Sequence, residues 1–155
     1  MADSGPERPG RTSRAGLART PTRRKARKRA IDIMFEADLR GTDVLATLAE
    51  RSADADPPVR EYTAELVRGV VADRAAIDAR IAEHLAPDWS MDRLPRVDRM
   101  ALRIAVFELS CGQVPANAVI SEAVTLVGEL STDSSPSFVN GVLASVAGSH
   151  PTGDR

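Results

Sequence analysis

One segment of the sequence, VDRMALRIAVFELSC over residues 97–111, is apolar on nearly every side when it is drawn as an α-helix. Only four charged side chains interrupt it, those of Asp98, Arg99, Arg103 and Glu108. A helix that is apolar all round must be covered on most sides by other elements of the fold. The chain therefore has to supply several further elements that pack around this central one.

Those elements are predicted to be helices, because apolar residues recur at helical spacing along the flanking segments. No segment alternates apolar and polar residues over enough positions to predict a strand. The first helix is predicted from about Thr22 to Arg40, with Gly41 as its C-terminal stop. The other predicted helices cover residues 44–51, 57–86 with a kink near Gly69, 118–130 and 135–148, the last with Ser135 as N-cap and Pro136 in its first turn. We therefore predict an all-α fold, a compact bundle of about seven helices.

Each predicted helix carries a stripe of apolar residues that we expect to face the core. The stripe residues are Ala26, Ala30, Ile33, Ala37; Leu66, Val70, Ile77, Ile81, Leu85; Val119, Ile120, Ala123, Val124, Val127, Leu130; and Val139, Val142, Leu143, Val146. In the central helix, we expect the acids Asp98 and Glu108 to balance Arg99 and Arg103 in or beside the core.

Charge is distributed unevenly along the chain. Residues 1–30 hold ten basic and two acidic residues, a charge of +8, whereas residues 31–155 hold eleven arginines and twenty acids, a charge of −9. Residues 1–21 show no apolar period and are predicted to be a disordered basic tail, and residues 149–155 are predicted to be frayed. A basic arm on an acidic body indicates a polyanionic partner at one end and excludes a uniformly basic DNA-coating protein.

The basic arm continues into the first predicted helix, where six of the seven residues from 23 to 29 are basic. At about 100° per residue, Arg24, Lys28, Ile31 and Phe35 fall within about 40° of one another. Cations in line with an aromatic ring are the two parts of a site for single-stranded nucleic acid. The alternative is that Phe35 packs on a second core and the arginines form a solvated face.

The last predicted helix offers a second candidate feature. Phe138 stands in its first turn, where the helix dipole and free backbone N–H groups favour an anionic ligand. Gly141 in the middle of the helix indicates that a neighbouring helix or a ligand backbone approaches closely, and tight helix packing is the simpler interpretation.

The residues that carry most catalytic and metal chemistry do not cluster in this sequence. Cys111 is the only cysteine, and the two histidines, His84 and His150, make no metal-ligand spacing. There is no glycine-rich phosphate loop and no run of about 18 apolar residues. We expect a non-enzymatic, cytoplasmic protein without metal or cofactor.

Three stretches of the sequence are similar to the NusB family of transcription antitermination factors. RRKARKRAIDIMFEAD resembles the arginine-rich first helix of that family. DRLPRVDRMALRIAVFEL resembles its central element, and VISEAVTLVGELSTDSSPSFVNGVL resembles its C-terminal part. The resemblance covers most of the chain from Thr22 to about Val146.

The resemblance implies a single RNA-binding domain over residues 22–148, built as two three-helix bundles side by side, without enzyme activity. It implies binding of the boxA segment of nascent RNA, typically ribosomal leaders, together with NusE, a small-subunit ribosomal protein. It further implies assembly with other Nus factors on RNA polymerase, where premature termination is suppressed. The acidic body would attract the basic ribosomal protein.

The resemblance also implies which residues approach RNA. Matched position by position, three arginines fall on the basic arm, and Lys28 stands in line with them on the same helix. Phe35 falls where the family has an aromatic residue, and an acid of the central helix falls near an RNA base, from which it could accept a hydrogen bond. The residues expected to bind RNA are Arg23, Arg24, Arg27, Lys28, Phe35, Asp98 and Phe138.

The sequence departs from the family pattern at two positions. The family commonly has two consecutive acids before the last helix, whereas this chain has Asp133 followed by Ser134. Ser121 stands where the family has asparagine. The first change weakens one base contact or transfers it to Ser134, and the second alters a local hydrogen bond.

Two other functions are compatible with the same residues. One is a protein-interaction bundle, such as a homodimer that hides the basic face. The other is the accessory domain of an rRNA methyltransferase, which has a NusB-like region. The sequence has no glycine-rich turn for the cofactor of such an enzyme.

Overall fold

The computed structural model describes residues 9–53 and 58–149, with side chains from Thr22 onward. Seven α-helices and one short 3₁₀ turn, Met91–Arg93, make up these ranges, and no strand occurs within them. The helices are α1 (Pro9–Arg40), α2 (Val44–Ala53), α3 (Glu61–Ala72), α4 (Arg74–Ala82), α5 (Arg96–Cys111), α6 (Ala116–Leu130) and α7 (Ser135–Gly148). The predicted all-α fold of about seven helices is confirmed.

The helices form two groups that lie side by side. In the first, α1, α2 and α3 pack against one another, and in the second α5, α6 and α7 do so. The shorter α4 packs on α5 and α7, so the second group is a three-helix bundle with one added helix. Among the described residues, no helix has the length and apolar character needed to cross a membrane.

Helix α5 is the central element, as its sequence predicts. It packs against α1, α3, α4, α6 and α7, and ten of its sixteen residues are buried. The burial extends without a break from Met100 to Val106. Because this helix joins the two groups, side chains on its surface can connect the basic α1 with the C-terminal helices.

The predicted apolar stripes face the core in the structure. Ala26, Ala30, Ile33 and Ala37 of α1 are at most 1% exposed. In α7, Val139, Val142, Leu143 and Val146 are buried in the same way. A few members of the stripes are only half-buried and pack at the margin of the core, namely Leu85, Ile120, Val124 and Leu130.

The predicted long helix over residues 57–86 is wrong, because the structure has two helices that meet at Asp73. This residue has φ −111° and ψ 22°, outside the helical region. Asp is a weak helix former whose side chain competes for backbone hydrogen bonds. Gly69 makes no kink; its missing side chain leaves room for the ring of Phe107, which a Cβ would overlap. Both helices face α5, so the apolar period continues across the break.

Two helix starts also differ from prediction. The N-cap of α7 is Ser134 and not Ser135, and Pro136 stands in the first turn as expected. Helix α1 begins at Pro9, earlier than the predicted Thr22. For residues 9–21 only the backbone is described, and the predictions for residues 1–8 and 150–155 lie outside the described residues.

Candidate nucleic-acid interface

Arg27, predicted to contact RNA, is buried against α5 instead. Its Nε lies 2.8 Å from Glu108 Oε1 and its Nη2 lies 2.9 Å from Glu108 Oε2. The two side chains are 5% and 3% exposed. Tyr62 of α3 donates its hydroxyl to the same carboxylate, and burial raises the pKa of Tyr62, so that the hydroxyl stays protonated. Nε and Nη2 of Arg27 are thus both held by a buried acid, and the side chain does not face solvent in the structure.

Arg24 is also paired with an acid, but at the surface. Its Nε and Nη2 donate to the two carboxylate oxygens of Glu122 in α6, at 2.8 and 2.9 Å. The Arg24 side chain remains 46% exposed. The hydrogen bond from Arg24 lowers the pKa of Glu122 below its usual value. Arg24 therefore ties α1 to α6 while part of its guanidinium still faces solvent.

Arg23 completes the attachment of α1. Its guanidinium carbon lies 4.7 Å from the centre of the Tyr62 ring, a cation–π contact. Arg23 thus contacts α3, Arg24 contacts α6 and Arg27 contacts α5. Glu108 therefore pairs with Arg27 of α1, and not with Arg99 or Arg103 of its own helix as the sequence predicted. Arg103 pairs with Asp78 of α4, Nε to Oδ1 2.8 Å.

A second set of cations lines a groove on the other side of α1. Lys25, Lys28 and Arg29 of α1 line a groove together with Arg60, which precedes α3. None of these four makes an ion pair or hydrogen bond with another side chain that the structure describes. Asp32 is the acid in the groove, and burial raises its pKa although Lys28 and Arg29 oppose that shift. The groove therefore has an excess of positive charge.

Phe35 continues the line of Lys28 along α1. The Phe35 side chain is half-buried. Phe107 and Phe138 are also half-buried and pack on the main core. Phe35 is not among the described side chains that pack there. One turn further, Leu39 is 59% exposed. The ring of Phe35 therefore offers part of its surface to solvent beside the groove of cations.

Asp98 does not lie on the surface, contrary to its predicted contact with an RNA base. It is 2% exposed, and its Oδ2 accepts a hydrogen bond from Ser135 Oγ at 2.9 Å. Ser135 is buried as well, and its Oγ accepts from the backbone N–H of Thr132 at 3.2 Å. Oδ1 of Asp98 has no partner among the described residues. Asp98 therefore holds the turn that starts α7 against α5.

Phe138 stands one turn after that anchor. Its ring is half-buried and packs on the core, and its centre lies 6.2 Å from the ring of Trp89 with an interplanar angle of 45°. Trp89 was missed in the sequence, where it stands outside every predicted apolar stripe. The available signal was a single large aromatic residue in a polar connection between two helices.

Polar contacts link the end of α1, which carries Phe35, to the start of α7, which carries Phe138, through the first turn of α5. Asp38, one turn after Phe35, accepts a hydrogen bond from Arg96 Nε at 2.6 Å, which places the end of α1 beside the start of α5. Asp98 in the first turn of α5 holds Ser135 at the start of α7. The groove, Phe35 and the start of α7 therefore follow one another along connected elements.

The model of the NusB family matches residues 24–148, which include the groove, Phe35, Asp98 and Phe138. The chain belongs to the NusB family. The transcription antitermination protein NusB of Acidothermus cellulolyticus is 53% identical over 133 residues, 85% of this chain and 91% of that protein. Its counterpart from Saccharopolyspora erythraea is 52% identical over 136 residues, 86% of this chain and 89% of that protein.

Solved NusB structures share the fold. T. maritima NusB superposes with a TM-score of 0.75 at 30% identity, over 83% of this chain and 92% of that one. A second structure contains the antitermination factors NusB and NusE in complex with double-stranded RNA; it gives a TM-score of 0.73 at 31% identity, over 83% of this chain and 97% of that one. The family's two-bundle architecture is therefore the architecture of this chain.

Proposed function

We propose that this protein is a transcription antitermination factor that binds the boxA segment of nascent ribosomal RNA together with NusE. In this role it joins other Nus factors on RNA polymerase and suppresses premature termination. Relatives about 50% identical carry the name transcription antitermination protein, and a NusB of the same fold has been solved with NusE and RNA. The protein acts in the cytoplasm as a binding factor and not as an enzyme.

The observation that carries the proposal is the groove of unpaired cations beside Phe35. Lys25, Lys28, Arg29 and Arg60 neutralise phosphates, and Arg24 adds the solvent-facing part of its guanidinium. Phe35 and Phe138 stack unpaired bases, which sets the register of the strand. Affinity then depends on salt through the cations, whereas the stacking contribution is nearly independent of salt.

Arg23, Arg27 and Asp98 support the site without being its main contacts. Arg23 and Arg27 attach the middle of α1 to Tyr62 and Glu108, so the wall of the groove is held in place. Asp98 attaches the start of α7, which positions Phe138. Residues held this firmly lose little entropy when the RNA binds.

The acidic remainder of the chain serves the protein partner. Residues 31–155 carry a charge of −9, and opposite fields accelerate the encounter with a basic ribosomal protein and disfavour wrong partners. A homodimer through the basic face is the competing arrangement. It would bury the groove and make RNA binding compete with self-association.

The test is binding of a labelled boxA-like RNA and of a scrambled RNA of equal length, each with and without the ribosomal partner. We expect tighter binding of the boxA-like strand and a further gain with the partner. Gel filtration of the same samples reports the oligomeric state. Equal affinity for both strands under all conditions, or a dimer that RNA does not dissociate, would overturn the proposal.

A further inference from the structure

The connection between α4 and α5 presents one large aromatic side chain to solvent. Trp89 is the only tryptophan of the chain, and it is 43% exposed. Large aromatic residues contribute more apolar area than other side chains and are usually mostly buried. The exposure of Trp89 therefore needs an explanation that the groove along α1 does not provide.

The backbone around Trp89 is held in place. Its N–H donates to the carbonyl of Ala86 at 2.9 Å, and Arg93 Nη1 donates to the carbonyl of Asp88 at 3.0 Å. The 3₁₀ turn follows, and Leu94 after it is 4% exposed and belongs to the core. The ring therefore stands at a defined position on the surface.

Two side chains flank the indole ring. The ring of Phe138 lies 6.2 Å away on one side, and the guanidinium carbon of Arg93 lies 5.7 Å from the indole centre. Two aromatic rings and a guanidinium in contact form a surface on which nucleobases stack in single-strand binding proteins. Trp89 extends the surface of Phe138 away from the core and into solvent.

We propose that Trp89 and Arg93 form a second stacking site, which binds the unpaired base next to the one on Phe138. The inference rests on the proposed function, because it adds a contact for the same RNA strand. By this inference, the connection between α4 and α5 helps to determine how many bases the protein binds.

An apolar protein partner fits this place less well than a base does. Among the side chains that the structure describes, the other exposed large apolar residues, Leu39 and Leu45, belong to α1 and α2, so the indole is not part of a broad apolar patch there. Protein interfaces need a larger apolar centre. Asp88 and Asp92, both exposed, stand on either side of Trp89 in the sequence and offset the charge of Arg93, so binding here depends on stacking more than on charge.

The single tryptophan makes the site directly observable in the unmodified protein. Titration with the boxA-like RNA should quench tryptophan fluorescence, with saturation at the same RNA concentration as the anisotropy of labelled RNA. A strand shortened by one base at a time from each end should lose the quench at a defined length while it still binds. Anisotropy change without any change in tryptophan emission would overturn the inference.

Variants of Trp89 give the second readout. Trp89→Ala should weaken RNA binding by about 5- to 150-fold, by the same factor at every salt concentration. Trp89→Phe should retain most of the affinity, because a phenyl ring still stacks. Leu45→Ala on α2 is the matched control, since Leu45 is 41% exposed, and it should bind RNA like the unmodified protein.

The outcomes separate this inference from the proposed function. If the protein binds the boxA-like RNA specifically but Trp89→Ala binds it equally well, only the inference fails. If no specific RNA binding occurs, the proposed function fails. A Trp89→Ala variant that keeps its RNA affinity and loses the ribosomal partner would make the ring a protein contact. Should that variant unfold, the fluorescence titration and Trp89→Phe decide.

Discussion

Arg27 and Glu108 form a buried, bidentate ion pair between helices α1 and α5, although 81 residues separate them in the chain. The Tyr62 hydroxyl from α3 meets the same carboxylate. Two helices of the first group, α1 and α3, and the central helix α5 are thereby joined at one acid. The basic segment 23–29 therefore helps to stabilise the fold, in addition to any role in binding.

Removal of Arg27 should destabilise the fold. Arg27→Ala leaves the Glu108 carboxylate buried without a counter-charge, and loss of one partner of a buried pair costs about 3–5 kcal/mol. Urea unfolding measures this loss, and the exposed Lys28→Ala should stay within about 0.5 kcal/mol of the unmodified protein. The double variant Arg27→Met with Glu108→Leu should recover much of the stability. A stable Arg27→Ala variant that fails to bind RNA would contradict this assignment.

Lys28 should contribute to RNA affinity through phosphate neutralisation. For a single strand, each neutralised phosphate contributes about −0.7 to the slope of log K against log salt, and four groove cations give a slope near about −3. Lys28→Ala should reduce the slope by about 0.7 or less, as measured by anisotropy over a salt series. The control is Arg68→Ala, an exposed cation of α3 outside the groove. Equal slopes for both variants would remove Lys28 from the site.

Phe35 should contribute through stacking. Phe35→Ala is expected to lose about 1–3 kcal/mol of binding free energy at every salt concentration, whereas Phe35→Tyr should retain it. The neighbouring, exposed Leu39→Ala tests whether any loss of apolar surface on α1 has the same effect. An unchanged affinity of Phe35→Ala, or a loss that disappears at high salt, would exclude stacking at this ring.

Asp98 should act on RNA binding only through the position of α7. Asp98→Ala removes the acceptor of Ser135 in the core and should destabilise the protein by about 1–3 kcal/mol. Asp98→Asn keeps an acceptor oxygen and should preserve both stability and RNA affinity. If Asp98→Asn instead keeps the stability and loses affinity, the carboxylate contacts the RNA after all, as the family resemblance implied.

The Arg24–Glu122 pair should make stability depend on pH in the acidic range. Arg24 holds the pKa of Glu122 below its ordinary value of 4.5. A lowered pKa in the folded state stabilises the fold above the unfolded value, and this contribution is lost as pH falls through the folded pKa. Because Arg24 is half-exposed, solvent screening should keep this contribution small. The stabilities of the protein and of Glu122→Gln, measured by urea unfolding, should differ at pH 7 and approach each other as the pH falls below the ordinary glutamate value; a constant difference would contradict this.

The helical architecture could be predicted from the sequence because each helix depends on the order of residues within its own segment. The spacing of apolar residues in α1, α5 and α7 indicates which face of each helix is buried. This spacing belongs to the sequence and does not depend on how the helices pack. The break at Asp73 escaped prediction because the apolar period continues on both sides of it. The motifs of the resemblance identified the family for a similar reason, since they are continuous in the chain.

The partners of charged side chains could not be predicted in this way. Sequence spacing places Arg24, Arg27 and Lys28 in one basic block, but the electrostatic environment of each depends on what lies across from it. Glu108 and Glu122 approach α1 from elements about 80 to 100 residues away. A bidentate contact to a buried acid makes Arg27 structural, whereas Lys28 lacks such a contact and lines an open groove.

The sequence alone thus determined the helices, the faces they bury and the family, because these properties follow from the order of residues along one segment. Only the tertiary structure decided which cations remain unpaired, that Asp98 is an interior anchor, and that Trp89 stands beside Phe138. Those relationships join segments that are distant in the chain, and Coulomb and stacking energies depend on distances of a few ångströms that no local pattern encodes.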